Sequence, residues 1–372
     1  MRLLIITQKV DADDSALGFF TRWIEEFAAR CEQVIVICLE EGAHRLPQNV
    51  RVLSLGKERF KIQDSRFKLG RNIRYACRLV RYIVLQRREY GAVFAHMNPE
   101  YALLGGLFWR LVGKKSALWY VHGKVSWRLC LAAFLVNKIF TASTESCRLR
   151  STKVEVVGHG IDVSSSILDF QTSQKWGIAT TTNVAHANVA KPLRGFPDAA
   201  AELRLLTVGR ISPVKDLRTL ILGFLELRKR FPEAELSVVG EPITGGDRAH
   251  LAEMQRIASG AVRFCGGVPH AELPRWYAEA TAFVHASQTG SMDKAVLEAL
   301  AAGLPVFTSS DAFSEAIPGV RRFREGDPVD LAQKIERAFL RKELVINEKG
   351  SAYVKEYHSL PRLAEKIIAF YV

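Results

Sequence analysis

Short apolar runs alternate with longer amphipathic stretches along this chain, and the alternation starts afresh in the second half. In the first half the runs fall at residues 2–7, 34–39, 92–95, 117–121, 138–142 and 154–157, and a helical pattern through Phe19, Trp23, Ile24, Phe27 and Ala28 separates the first two. A strand buried on both faces reads as such a run, so the pattern predicts parallel strands joined by helices. In the second half the runs recur at 203–208, 235–239, 262–264 and 281–286. Leu217, Leu220, Ile221, Phe224 and Leu227 form one face of a helix whose predicted N-cap is Asp216. Residues 164–201 break the rhythm: they are rich in Ser, Thr and Ala, carry Lys191-Pro192 and Gly195-Phe196-Pro197, and read as a connection with little regular structure. Two consecutive α/β domains are therefore predicted, residues 1–163 and 202–355, with a helical pattern over 353–372 that breaks around Pro361.

One stretch concentrates chemistry. Residues 289–306 read as a small-residue loop, a short helix with Ala295, Leu297, Leu300 and Ala301 as packing positions, then Gly303 and a buried strand. The helix carries one carboxylate, Glu298, a little over a turn from its N-terminus. A carboxylate there can accept hydrogen bonds from sugar hydroxyls, while the free amides and positive helix end suit an anion, a geometry that holds the ribose and phosphates of a nucleotide. The plain alternative is a solvated helix residue. Arg210 and Lys215 lie five residues apart in the loop between the 203–208 strand and its helix, a spacing that lets both converge on a diphosphate.

Charge widens the choice of partner. Lys and Arg number 52 against 39 Asp and Glu, and a formal net charge of +13 calls for an acidic partner: a nucleotide, an anionic membrane surface or nucleic acid. Residues 57–90 are the most basic, with eleven Lys or Arg against three acidic residues. There Leu69, Ile73, Cys77, Val80 and Val84 repeat at helical spacing beside Arg71, Arg74, Arg78 and Arg81. This reads either as an interfacial helix drawn to anionic lipid or as a surface helix whose apolar stripe packs on the sheet beneath solvated arginines. No stretch is long enough to span a membrane; residues 102–109 and 129–136 come nearest and are short. The first apolar run is too short for a signal peptide, and the six cysteines lack CxxC spacing and read as core thiols of a reducing compartment. A cytoplasmic protein, peripheral on the inner face of the membrane, is expected. Asp11 and Asp13 read as a solvated turn or a pair of metal-binding carboxylates, and His96 and His122 as strand-end histidines that are structural or face a ligand.

Several of these motifs, in this order, resemble the retaining GT-B glycosyltransferases of family four over nearly the whole chain. Residues 208–215 resemble the family's diphosphate loop, with Gly209, Arg210 and Lys215 in its positions. Residues 296–306 resemble the second half of its E-x7-E signature, whose second Glu, here Glu298, holds the donor ribose. His159-Gly160-Ile161-Asp162 is similar to the turn that closes the first domain, and residues 356–372 resemble the crossover helix that returns to it. The resemblance implies two Rossmann-like domains facing across a cleft, the first for the acceptor and the second for the nucleotide sugar. It implies sugar transfer with retention of configuration, to a glycan or lipid-linked acceptor. His122 would hydrogen-bond the donor sugar, Gly18 would admit the phosphate or acceptor, and residues 266–270, Gly266 and Val268 among them, would border the base largely through backbone groups. Arg210, Lys215 and the helix N-terminus would take the part that a metal plays elsewhere, so no cofactor and no metal is implied. The leaving phosphate would accept the acceptor's proton. One position departs from the pattern: the first Glu of E-x7-E falls on Gly290, and Gly290, Ser291, Met292, Asp293 and Lys294 would have to hold the transferred sugar instead.

Other classes fit less well. A sugar-nucleotide epimerase of the same shape, or a nucleotide-sugar-binding protein without activity, would share the diphosphate site, but an epimerase needs a further set of carboxylates and histidines. A basic nucleic-acid-binding protein would explain the charge, yet the basic stretch offers few aromatics, Phe67, Tyr75 and Tyr82, and no nucleic-acid motif. A dinucleotide-dependent dehydrogenase lacks its G-x-G-x-x-G loop.

Overall fold

The computed structural model describes residues 1–14, 16–59, 68–163, 203–288, 290 and 292–372, with backbone alone at 59, 68 and 69. The connection expected at 164–201 lies outside the described residues. The chain divides into two compact units, Met1–Asp162 with Tyr357–Val372, and Val163–Glu356.

The first unit is built on seven parallel strands: β1 (Arg2–Val10), β2 (Gln33–Glu41), β3 (Val50–Ser54), β4 (Ala92–His96), β5 (Lys115–Trp119), β6 (Lys138–Thr141) and β7 (Val154–Val156), in the order β3-β2-β1-β4-β5-β6-β7. Alternate residues of β1 feed two cores. Leu3 and Ile5 pack with α1 (Phe19–Ala28) and with a helix returning from the far end of the chain, Leu360–Tyr371. Leu4 and Ile6 pack with α2 (Lys68–Leu85), α3 (Pro99–Leu111) and α4 (Trp127–Leu135). Both faces are covered, which is why these strands read as unbroken apolar runs. The returning helix is anchored at its start by Leu360 N–H on the Ile161 carbonyl, 2.8 Å, and at its end by the buried Tyr371 hydroxyl on the Val93 carbonyl, 2.6 Å. Pro361 sits in its first turn, where a missing N–H costs no helical hydrogen bond. In the turn that carries Ile161, Gly160 has φ +67° and gives its carbonyl to Trp23 Nε1 at 3.1 Å.

Helix α2 corrects one packing expectation. Leu79 and Ile83 are its buried residues, while Ile73, Cys77, Val80 and Val84 face outward and are exposed. The helix has two apolar stripes, and both show helical spacing. The core-thiol reading fails with it: Cys31, Cys38 and Cys147 are buried, Cys265 is partly so, but Cys77 and Cys130 lie exposed on α2 and α4.

The second unit holds six parallel strands, β8 (Arg204–Val208), β9 (Glu235–Val239), β10 (Arg263–Gly266), β11 (Ala282–His285), β12 (Val306–Thr308) and β13 (Val320–Arg322), in the order β10-β9-β8-β11-β12-β13. Its helices are α5 (Leu217–Arg228), α6 (Gly245–Ala258), α7 (Leu273–Glu279), α8 (Lys294–Ala301), α9 (Pro328–Leu340) and α10 (Glu348–Tyr357), and the returning helix is α11. Asp216 caps α5 as expected, its carboxylate accepting from Thr219 N–H and Oγ1 at 3.4 and 2.7 Å. The sequence pattern passes over β3 and β13, the short, half-buried strands at one edge of each sheet.

Candidate active site

The second sheet reverses its winding between β8 and β11, and ligands of such sheets bind outside the strand ends at that reversal. From β8 the chain leaves through Gly209, at φ +152°, and Arg210 into a tight turn at Pro213–Lys215. A side chain on Gly209 would meet nothing within 4 Å, so its backbone is open to a ligand. From β11 the chain leaves at His285 and reaches α8. Gln288 N–H donates to the Val214 carbonyl at 2.9 Å and ties the two exits together. Gly209, Arg210, Lys215 and His285 line one small cavity there.

Two hydrogen-bonded groups stand at α8. Asp293 occupies its N-cap position but does not cap the helix. Its carboxylate instead bridges Lys215 Nζ at 2.6 Å and His285 Nε2 at 2.7 Å, while His285 Nδ1 lies 2.9 Å from Thr308 Oγ1. Burial pushes the Asp293 carboxyl up, but the hydrogen bonds and charges of His285 and Lys215 outweigh it and hold the group well below the usual carboxylate range. Glu298 accepts from the Tyr277 hydroxyl at 2.9 Å and lies 3.1 Å from His270 Nε2. Burial raises its pKa too, and His270, Lys294 and Tyr277 bring it below the ordinary value. The solvated-residue alternative for Glu298 therefore fails. Burial also drives the Lys294 ammonium down to about 7, against the pull of Glu298, and burial with Glu298 lifts the Tyr277 phenol well above its usual pKa, so it stays a donor. Arg210 is exposed and makes no ion pair among the described residues. The edge thus offers two ionised carboxylates, helix amides, the cations Arg210 and Lys215, and in Lys294 a lysine that is only partly charged near neutral pH, the means to hold hydroxyls and a diphosphate together.

The remaining candidates are dispersed. Gly290 has φ +61°, a backbone that a glutamate would adopt only under strain. Ser291 lies outside the described residues, and Met292 is buried. Gly266, at φ +74°, ends β10 beside open space, and Val268 is half-buried. His270, at the end of the 266–270 stretch, engages Glu298 through its ring.

In the first unit, His122 lies beyond the end of β5, exposed, with Nδ1 accepting from Lys124 N–H at 3.2 Å. A Cβ on Gly18 would sit 2.5 Å from the Asp14 carbonyl oxygen, so the loop's own packing requires glycine there. Asp11 is turned to Lys9 at 3.0 Å, with Asp14 and Glu40 at 2.6 and 3.4 Å, which makes Asp11 part of an ion cluster and not of a metal pair. His96 is buried, stacked on Phe20 at 3.9 Å, and packs as a structural residue. Arg71, Arg74, Arg78 and Arg81 all lie on α2.

Sequence reasoning missed His285, Tyr277 and Thr308. A signal existed for His285, which ends its strand as His96 does; nothing local marks Tyr277 and Thr308, whose roles arise from tertiary contact.

Fold and site together define a two-unit parallel α/β protein with charged and hydrogen-bonding groups gathered at one edge of its second sheet. Residues 202–340, all within the second unit, match the family model described as Glycosyl transferases group 1. Over 117 residues the chain is 30% identical to the alpha-monoglucosyldiacylglycerol synthase of Acholeplasma laidlawii, covering 31% of this chain and 29% of that protein. Over 114 residues it is 37% identical to the D-inositol 3-phosphate glycosyltransferase of Frankia alni, covering 28% of each. The chain therefore matches less than a third of the length of these curated relatives. Among solved structures it is similar to Anabaena Alr3699/HepE in complex with UDP and glucose, with TM-score 0.70, 16% identity and coverage of 100% of this chain and 99% of that one. The sucrose-phosphate synthase of Thermosynechococcus elongatus gives TM-score 0.71 at 14% identity, with coverage of 100% and 98%. WaaG, a glycosyltransferase involved in lipopolysaccharide biosynthesis, gives 0.65 at 16%, with coverage of 100% and 99%. The fold is that of the GT-B glycosyltransferases.

Proposed function

We propose that this chain is a retaining glycosyltransferase that moves a sugar from a nucleoside diphosphate sugar to an acceptor hydroxyl of a lipid-linked or cell-envelope glycan. The observation that carries the reading is the set of groups on one helix: Glu298, held by His270 and Tyr277, shares α8 with an N-cap aspartate ion-paired to Lys215. Glu298 accepts from the ribose hydroxyls. Arg210, Lys215, Lys294 and the α8 amides stabilise the negative charge that grows on the leaving diphosphate, which the reading assigns to these cations in place of a metal. Asp293, a carboxylate fixed from two sides, receives hydroxyls of the transferred sugar in place of the side chain that Gly290 lacks. On the first unit, His122 and Gly18 serve the donor sugar and acceptor, and the leaving phosphate takes the acceptor's proton. The names of the relatives support transfer to a glycolipid or inositol phosphate, and the HepE complexes support a uridine nucleotide as the first donor to try.

A thermal-shift screen of UDP-, GDP- and ADP-sugars, followed by measurement of nucleoside diphosphate release on a lipid-linked acceptor, tests the reading. One nucleotide sugar at about a hundred times its Kd should add roughly 2.7 kcal/mol of stability and be turned over. Gly290 favours one second reading, a nucleotide-sugar-binding protein without transfer, and stabilisation without release would select it. Stabilisation by nucleic acid alone would overturn both.

A further inference from the structure

The two faces of the first sheet carry helices that differ in what they turn outward. Helices α1 and α11 expose no large apolar side chain, and their charges balance: Arg22, Arg362 and Lys366 against Glu25, Glu26 and Glu365. On the opposite face, α3 exposes Leu107 and Leu111, the latter 78% accessible, and α4 exposes Trp127, Leu131 and Phe134, at 69%, 47% and 68%. The outward stripe of α2, Ile73 to Val84, adds to the same layer. These helices carry seven cations, Lys68, Arg71, Arg74, Arg78, Arg81, Arg110 and Arg128, and one acid, Glu100, which is paired to Arg128 at 3.0 Å.

Cation and apolar group are arranged together. The Arg128 guanidinium lies 5.4 Å from the Trp127 ring centre and that of Arg110 5.4 Å from the Phe134 ring, with Arg110 Nη1 also donating to the Phe134 carbonyl at 2.7 Å. An arginine lying along an aromatic ring can keep its charge at head-group level while the ring enters the acyl boundary. Arg78, Arg81, Tyr82, Leu85 and Ser54 border a groove of ≈ 320 Å³ on α2, room enough for a lipid phosphate, and Arg78 Nη1 is held there by the Leu55 carbonyl at 2.6 Å. A protein partner would have to match a layer that is apolar and of one sign at once; an anionic bilayer offers a low-dielectric slab under a uniform negative sheet.

We propose that the α2–α3–α4 layer docks on an anionic phospholipid bilayer, with Leu107, Leu111, Trp127, Leu131 and Phe134 inserted and the arginines of α2 on lipid phosphates. The proposal goes beyond the transferase reading, and its test reads lipid binding alone.

The purified full chain is sedimented with phosphatidylcholine vesicles, with and without phosphatidylglycerol, beside the variants L107S/L131S/F134S and R78S/R81S. The wild type should pellet with the anionic vesicles and stay in solution with the neutral ones. The apolar triple variant should partition at least about tenfold more weakly at every salt concentration. The arginine pair should lose roughly tenfold at low salt and converge on the wild type at high salt. A C77S/C265S chain labelled at Cys130 with an environment-sensitive fluorophore gives a readout independent of the variants' folding, and its emission should shift to the blue with anionic vesicles. Three results would each overturn the proposal: wild type that does not pellet, triple variant and wild type that pellet alike, or self-association of the chain that the triple variant abolishes, which would assign the face to a second copy.

Discussion

Both sheets reverse their winding at an equivalent place, β1/β4 in the first and β8/β11 in the second, and in both a histidine ends the strand beyond the reversal. The two histidines keep different company. His96 lies 3.1 Å from Thr7 Oγ1 and is stacked on Phe20, and the Tyr101 hydroxyl closes the group on the Thr7 carbonyl at 3.3 Å. His285 also meets a threonine, but its other nitrogen meets Asp293, and through it Lys215. The first set is a packed core with polar groups satisfied by hydroxyls. The second keeps ionised groups at a partly buried edge, an arrangement that costs desolvation and that packing alone does not call for. Topology nominates both places; the charge partner is what sets the second histidine apart from the first.

Four experiments sharpen or break that contrast. The largest effect belongs to Glu298→Gln, which should lower turnover by roughly 10²-fold while leaving the fold in place, read as kcat and KM beside a melting curve. Unchanged turnover would remove the ribose role. Next, His96→Ala should cost the protein about 2–4 kcal/mol in denaturant unfolding by opening a cavity against Phe20, and leave the donor-induced thermal shift as it was. If the shift vanished in a chain of normal stability, the first reversal would be a ligand site as well. Asp293→Asn keeps the shape of the bridge and removes its charge, so nucleoside diphosphate release should fall roughly tenfold. Turnover equal to that of the wild type would take the sugar-holding role from Asp293.

The smallest effect concerns Lys294. With a pKa of about 7 in the free protein, this group is charged below that pH and neutral above it. A bound diphosphate favours the charged form and raises the pKa. Donor affinity should therefore be level below about pH 6 and fall severalfold between about pH 7 and 8, with proton uptake on binding in calorimetry. Lys294→Met should flatten the profile, and a flat profile in the wild type would exclude Lys294 from the donor site.

Much of this arrangement could be read from the chain. The buried runs of β1, β2, β4, β8, β9 and β11 announce parallel sheets because both faces of each strand are covered. Arg210, Lys215 and Glu298 stand out because a strand-to-helix loop and a helix start are anion sites by construction. What stays illegible is contact between distant residues. Nothing near Tyr277 or His270 marks them as partners of Glu298, and nothing near Asp293 foretells a bridge between Lys215 and His285. Helix α2 shows a different limit: Leu79 and Ile83 share their periodicity with Val80 and Val84, and only the sheet beneath decides which pair is covered. The edge strands β3 and β13 pass unseen because arginines break their apolar runs, Arg51 between Val50 and Val52 and Arg321 and Arg322 straight after Val320.

Helix α11 sets an order in time. The strands of the first unit leave the ribosome first, yet the face that α11 shares with α1, including Phe94 and Phe140, stays open until residues 360–371 have been made. The second unit is an unbroken segment and can close its core as soon as it is complete. Its prior folding shortens the gap between Asp162 and Tyr357, across which Ile161 N–H must find the His358 carbonyl at 2.7 Å, and so lowers the entropy lost in joining them. The part synthesised first is thus the part finished last, and for the interval between, the nascent chain carries an uncovered aromatic sheet face that invites a chaperone or a neighbouring chain.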